Sequence, residues 1–221
     1  MKSDIHEANG VKFHAANDMI VAWERAENRH FEPETTAWML DKMAENEGIF
    51  LDIGASTGWF SVLFASLGRE VVAFEPNPRP AQRLRDNAEL NWVSVELHEA
   101  AASDRVGNAE LHHNPGLPLT SGASLEADVR PRANTGIIKV PTLTVDSVIG
   151  ERQVALMKID VEGHELAVLH GAFVVLENWR PHMVLEANTD AHFAQLDEFL
   201  KSHGYEWVRA DERNMLCAPK S

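Results

Sequence analysis

Cysteine is nearly absent: Cys217 is the only one in 221 residues, and 20 basic side chains face 34 acidic ones. A lone thiol rules out an intramolecular disulfide and says little else about compartment. The formal charge of −14 argues against partners bound through their phosphates, either nucleic acid or an anionic membrane. No Lys/Arg run offers a local exception. No apolar run reaches membrane-span length, and the first residues do not resemble a signal peptide, so the expectation is a soluble, cytoplasmic chain with no nucleic-acid or membrane partner. Composition leaves the oligomeric state unknown. Cysteine/histidine zinc spacing, G-x-S-x-G and G-x-x-x-x-G-K-[ST] are all missing, which removes a structural zinc, a serine nucleophile elbow and a triphosphate loop. Repeats and low-complexity tracts are missing too.

Against these absences, one stretch stands out. Ile49-Phe50-Leu51-Asp52-Ile53 is an apolar run that reads as a buried parallel strand, and Gly54-Ala55-Ser56-Thr57-Gly58 follows as a tight turn into a helix at Trp59. Bare Cα atoms at Gly54 and Gly58 would let backbone N–H groups approach a ligand at the helix start. Glu75 ends the next apolar run, 71–74, where an acidic side chain can accept both hydroxyls of a ribose. The unit binds a nucleoside. Ala55 and Ser56 stand where a dinucleotide loop needs its middle glycine, and Asp52 would repel a pyrophosphate but help neutralise a cation. S-adenosylmethionine, with a sulfonium, an ammonium and a ribose but no phosphate, fits best.

At this length the chain reads as one domain with a sheet buried between helix layers. Residues 1–31 lack a clean period and are expected to be an irregular leader, or one that folds over the ligand. A helix follows over 33–48, giving an N-terminal part, 1–48, packed on a core of 49–221. Strands are expected at 49–53, 70–74, 93–98, 155–160 and 183–186, with helices at 59–67, 81–90, 165–176 and 191–202 between or after them. A short helix should follow an extended segment at 140–148. A final pair, 205–209 and 214–218, is separated by a short polar turn and reads as a hairpin. Alternation of this kind predicts an α/β, doubly wound, mainly parallel Rossmann-like sheet, and the hairpin gives it one antiparallel strand. Residues 104–138 break the rhythm, with Gly107, Pro115, Gly116, Pro118, Gly122, Pro131 and Gly136 in polar surroundings. They are expected to be short antiparallel pieces and a mobile, substrate-side insertion. Its histidines, His112 and His113, either face substrate or simply lie on the surface, the safer assumption.

Two acidic clusters end later strands. Lys158-Ile159-Asp160-Val161-Glu162-Gly163-His164-Glu165 opens at the carboxyl edge of the sheet, where open α/β folds bind ligands. Glu165 reads as a loop and helix-start carboxylate, whereas Asp160 should flank the nucleoside crevice. His164 is either a general base or merely a polar surface side chain. The other cluster is Glu186-Ala187-Asn188. Asp160, Glu186 and Asn188 offer oxygen donors that suit Mg²⁺, but spacing alone does not make a metal site, and hydrogen bonding to backbone or substrate is preferred for Glu186. No metal is assigned. Trp59, beside the glycine turn, is the tryptophan placed nearest the ligand.

These residues resemble a known family. Leu51-Asp52-Ile53-Gly54-Ala55-Ser56-Thr57-Gly58-Trp59-Phe60-Ser61, Phe74-Glu75-Pro76-Asn77-Pro78, Ala101-Ala102-Ser103-Asp104, Val140-Pro141-Thr142-Leu143-Thr144-Val145-Asp146 and Met157-Lys158-Ile159-Asp160-Val161-Glu162-Gly163-His164-Glu165 look like the FkbM family of class I S-adenosylmethionine-dependent methyltransferases. The similarity runs from about residue 34 to 186, and the K-I-D-V-E-G-x-E block is its most specific part. The resemblance implies a seven-stranded sheet with one antiparallel strand and methyl transfer, usually to a hydroxyl oxygen of a small molecule or glycan. On this reading Asp52, Gly54, Ala55 and Gly58 surround the methionine portion, with Asp52 near its ammonium. Glu75 holds the ribose, Glu99 and Ala100 meet the adenine edge, and Asp160 lies nearest the transferring methyl. Glu162 and His164 are candidates for positioning or deprotonating the acceptor. Two rivals stay open: a nicotinamide-dependent oxidoreductase, and a non-catalytic nucleoside-binding module of the same fold.

Overall fold

A computed structural model describes residues 4–116, 119, 122–126 and 136–220. The chain opens with β1 (Ile5–Ala8) and β2 (Val11–His14), then α1 (Met19–Glu27) and α2 (Pro33–Glu45). The core follows as β3 (Ile49–Ile53), α3 (Trp59–Ser66), β4 (Val71–Phe74), α4 (Pro78–Leu90) and β5 (Glu96–His98). Next come β6 (Ala101–Ala102), β7 (Gly107–His113), β8 (Gly136–Leu143) and α5 (Val145–Ile149). The remainder is β9 (Val154–Ile159), α6 (Glu165–His170), α7 (Phe173–Trp179), β10 (His182–Glu186), α8 (Asp190–Ser202), β11 (Tyr205–Arg209) and β12 (Asn214–Pro219).

Seven strands form the main sheet in the order β11-β12-β10-β9-β3-β4-β5. β3, β4, β5, β9 and β10 run parallel, while β12 is antiparallel to both β10 and β11. The expected single antiparallel strand is therefore β12. β3, β4 and β9 are buried along their whole length, which is why they read as unbroken apolar runs: helices cover both faces of a parallel sheet. One apolar layer packs Ile53, Phe74 and Ile159 against α5, α7 and α8. The opposite layer packs Phe50, Leu156 and Val184 against α2 and α3.

Three expectations need correction. The leader is not irregular: Asn9 and Gly10, both left-handed (φ 52° and 76°), close β1 and β2 into a hairpin. Asp18 caps α1 by accepting from the N–H groups of Ile20 and Val21. Phe13 then stacks on Trp59 at 4.4 Å and ties the hairpin to the core. The helix expected at 165–176 is two helices, broken where the Gly171 backbone presses on the Ser103 carbonyl; a Cβ there would overlap that oxygen. The strand expected at 93–98 begins only at Glu96, because Trp92 turns left-handed (φ 58°) after α4.

In the segment 104–138, β7 pairs with β8 antiparallel, and β8 pairs with β6 to make a separate three-stranded sheet. Pro118 and Pro131, expected to punctuate this insertion, lie outside the described residues. Among the described residues no helix is long and apolar enough to cross a membrane.

Candidate active site

The carboxyl ends of β4, β3, β9 and β10 deliver Glu75, Asp52 with Gly54, Asp160 and Glu186 to one edge of the sheet. All five line a cavity of about 970 Å³. The cavity sits where parallel α/β sheets present ligand sites, since strand ends and loops converge there without side-chain crowding.

Glu75 is buried, and its carboxylate accepts the N–H groups of Ser56 and Asn77, each at 2.8 Å. Burial pushes its pKa up to about 7 despite those two bonds. Gly54 lies against the neighbouring strand end so closely that a Cβ would overlap the Asp160 carbonyl oxygen, and its φ of 84° disfavours any other residue. The N–H groups of Gly54 and Ala55 both go to the Phe74 carbonyl, at 2.9 and 3.0 Å, and that of Gly58 to Ala55 at 2.8 Å. The turn therefore offers the cavity a bare surface at Gly54 and Ala55 rather than a row of donors.

Asp52 is buried and accepts the Ser61 hydroxyl at 2.6 Å. Burial raises its pKa, with Ser61 and Lys158 pulling the other way. Lys158 is buried on the same face of β9 as Asp160, two residues on, and donates to it at 2.8 Å. Its ammonium also sits 5.0 Å above the Phe60 ring. Burial opposes the charge on both members of this pair, yet their mutual attraction wins, holding Lys158 above and Asp160 below their ordinary pKa values. Glu186 behaves differently. Arg213 reaches it at 2.8 Å, but that guanidinium is half exposed, and burial with Asp160 and Glu162 nearby pushes Glu186 up to about 9.

Glu165 is fully buried and shapes the acidic loop. Its carboxylate accepts the N–H groups of Val161 and Gly163, both at 3.0 Å, so residues 161–163 fold back over the start of α6. Burial pushes its pKa up to about 7. The tie holds Glu162 in a left-handed conformation (φ 55°) and turns Glu162 and His164 to the cavity. His164 meets Glu126 through Nδ1 at 2.7 Å and the Ser103 hydroxyl through Nε2 at 2.9 Å. Ser124 donates to the Glu162 carbonyl at 2.7 Å, which fastens residues 122–126 to the same loop.

The structure thus brings together Asp52, Gly54, Ala55, Glu75, Asp160, Glu162 and His164. Trp59 and His113 also line the cavity. Three residues expected at the cofactor lie outside the cavity lining. Gly58 faces Leu84, 2.6 Å from where a Cβ would stand, so its glycine serves the packing of α3 on α4. Glu99 is exposed and pairs with Arg85 outside the cavity. Ala100 is buried behind the wall, which Ala101 and Ala102 form instead. Asn188 directs its amide nitrogen to Glu186 and Glu162, at 3.1 and 3.4 Å. Among the described residues no group of three or more His, Cys, Asp or Glu is arranged to hold a metal ion.

Several participants escaped the sequence reading. Lys158 had a signal: a lone cation inside an apolar strand, two residues before an aspartate, must share its face. Glu126, Ser103 and Arg213 had none, because their partners are distant in sequence. Trp23, Phe31 and Glu32 close the cavity from α1 and the start of α2, and their place follows from a hairpin the aperiodic leader concealed.

Known proteins resemble this chain in sequence and in fold. A family model, the methyltransferase FkbM domain, matches residues 52–207. A 31-O-demethyl-FK506 methyltransferase, FkbM of Streptomyces tacrolimicus, is 30% identical over 190 residues, 71% of this chain and 72% of that protein. A hexuronic acid methyltransferase, AglP of Haloferax volcanii, is 30% identical over 151 residues, 63% of this chain and 56% of its own length. Among solved structures, a methyltransferase FkbM from Methylobacillus flagellatus aligns with a TM-score of 0.56 at 19% identity, over 78% of this chain and 43% of that one. The last likeness concerns the fold alone.

Proposed function

This chain belongs to the FkbM methyltransferase family, and from that premise we propose that it moves a methyl group from S-adenosylmethionine to a hydroxyl oxygen of a small molecule or glycan. The observation that carries the reading is Glu75, a buried carboxylate at the end of β4 whose orientation two backbone N–H groups fix. Those bonds leave lone pairs for two vicinal hydroxyls, the recognition a ribose requires. The donor set suits the rest of this cofactor as well: Gly54 presents no side chain, and the carboxylates of Asp52 and Asp160 favour cationic groups. A pyrophosphate would meet the same carboxylates and no N–H cradle, which disfavours a nicotinamide dinucleotide.

When bound, S-adenosylmethionine supplies an activated methyl carbon: the acceptor oxygen bonds to it as the sulfur–methyl bond breaks, and the electron pair stays on sulfur. The chain's own task is to orient the acceptor and take its proton. Glu126 at Nδ1 of His164 favours the tautomer with its proton there, leaving Nε2, now against Ser103, as the proton acceptor. Asp160 is assigned to the position nearest the methyl, and Glu162 to the acceptor. The described residues of the segment 104–138, with α1, are assigned to the acceptor side, supported by the cavity contributions of Leu111, His113, Met19 and Trp23. The oxygen selectivity rests on relatives whose names specify a 31-O-demethyl substrate and a hexuronic acid.

The test is methyl-labelled S-adenosylmethionine incubated with a panel of hydroxylated acceptors, sugars, uronic acids and macrolides included, with products located by mass spectrometry. An O-methylated product, lost in His164→Ala and unaffected by a chelator, supports the proposal. Methyl transfer only to nitrogen or carbon would overturn the oxygen assignment, and a chelator-sensitive rate would show a metal requirement that the proposal does not contain.

A further inference from the structure

Glu32 stands immediately before α2 in a left-handed conformation (φ 43°), followed by Pro33 at the helix start. A non-glycine residue is held there only when surrounding contacts impose it. Glu24 of α1 is one such contact: its buried carboxylate accepts the Phe31 N–H at 2.7 Å and meets His6 at 2.6 Å. The result turns the Glu32 side chain into the cavity. Its Oε2 is buried and has no hydrogen-bond partner.

Three carboxylates act electrostatically on the Lys158 ammonium, Asp160 first, then Glu32 and Asp52. Asp160 takes the lysine at 2.8 Å, and Asp52 takes the Ser61 hydroxyl at 2.6 Å. Asn214 pulls the Glu32 pKa down while burial raises it more strongly, and Oε2 stays without a partner. Carboxyl groups outnumber the ammonium here, burial raises the pKa of Glu32 and Asp52, and one oxygen of Glu32 is left as an unused acceptor inside the cavity. Burying a carboxylate in that state is unfavourable unless a ligand donor completes it.

The strand order says which donor. A nucleoside anchored at Glu75 on β4 would extend across Gly54 on β3 toward β9, where Lys158 and Asp160 line the same cavity as Glu32. We propose that Glu32 receives the α-ammonium of the cofactor's amino-acid portion, a contact the sequence reading gave to Asp52. This rests on the S-adenosylmethionine reading above, and it makes Glu32 the residue that distinguishes a nucleoside carrying an amino acid from one without.

The experiment is titration calorimetry on the full chain with two ligands. S-adenosylhomocysteine carries the ammonium; 5′-methylthioadenosine keeps adenosine and sulfur but lacks the amino acid. Glu32→Gln should weaken the first by about 10- to 100-fold, the loss of one charge-assisted hydrogen bond, and change the second by less than about twofold. Glu32→Ala should shift the ratio in the same direction. Both ligands are measured on one preparation, so any loss of folded protein lowers both equally and leaves their ratio intact. An unchanged ratio would overturn the assignment, and the same result with a raised KM for the acceptor would give Glu32 to an amine on the acceptor instead. Wild-type protein that binds neither ligand would remove the cofactor reading and the Glu32 contact together, whereas binding of both with no change of ratio in the variants removes only the contact.

Discussion

Lys158 and Asp160, two residues apart on one strand face, form an ion pair at 2.8 Å, so a change at either should be read in both turnover and stability. The Lys158 ammonium is buried and donates to the partly exposed Asp160, so neutralising Asp160 removes its direct partner and leaves only the carboxylates of Glu32 and Asp52 to offset its charge. Asp160→Asn should lower methyl transfer steeply and also destabilise the fold by about 3 kcal/mol, since breaking a buried pair costs more than the pair contributes. Adding Lys158→Met should recover much of that loss in a denaturant titration without restoring turnover. Additive losses in the double variant would mean the pair is not coupled. Glu75 offers a separate handle. With its pKa pushed up to about 7 by burial, the carboxylate gains charge between pH 6 and 8, so S-adenosylhomocysteine should bind more tightly across that interval. The gain should shrink in Glu75→Gln.

At the scale of elements, the acidic loop depends on Glu165, which bonds the backbone of Val161 and Gly163 from a fully buried position. Glu165→Ala leaves both N–H groups without a partner. It should destabilise by about 2–4 kcal/mol and depress turnover by releasing Glu162 and His164. A thermal melt and a rate on the same sample check both, and an unchanged rate would show that the loop keeps its shape unaided. The elements that hold this loop were legible to different degrees. β3, β4 and β9 could be read because a strand buried on both faces has no polar alternation to confuse with a helix. The β1–β2 hairpin was missed although Asn9-Gly10 is a strong two-residue turn signal, because each flanking strand has only four residues. That omission hid Glu32, whose role depends on what α1 and the hairpin press against it. Gly58 was misjudged for a related reason: sequence shows that a glycine is required, not whether ligand or Leu84 requires it.

For the whole molecule, the carboxylates whose pKa values burial raises should make stability fall as pH rises. Burial beside Asp160 and Glu162 pushes Glu186 from an ordinary 4.5 up to about 9, so the folded chain should keep a proton that the unfolded chain has already released. Its contribution is complete below about 4.5 and disappears as pH rises through 9. Glu75 and Glu165, at about 7, act in the same sense and finish earlier. His182 and His192, whose pKa values burial lowers, oppose the trend only below about 6.5. Urea denaturation should therefore show a loss on the order of 2 kcal/mol between pH 7 and 9, reduced in Glu186→Gln. Stability that stays flat or rises over that interval would place Glu186 in solvent contact.

The central claim is that this edge holds S-adenosylmethionine, with Glu75 on its ribose. Calorimetry with S-adenosylhomocysteine and with NAD⁺, on wild type and Glu75→Ala, tests it most directly. Wild type should bind the homocysteine nucleoside and give no heat with NAD⁺, and the variant should lose about 2–4 kcal/mol of binding, because two charge-assisted hydrogen bonds go together without adding fully. Binding of NAD⁺ in place of S-adenosylhomocysteine, or full affinity in Glu75→Ala, would contradict it.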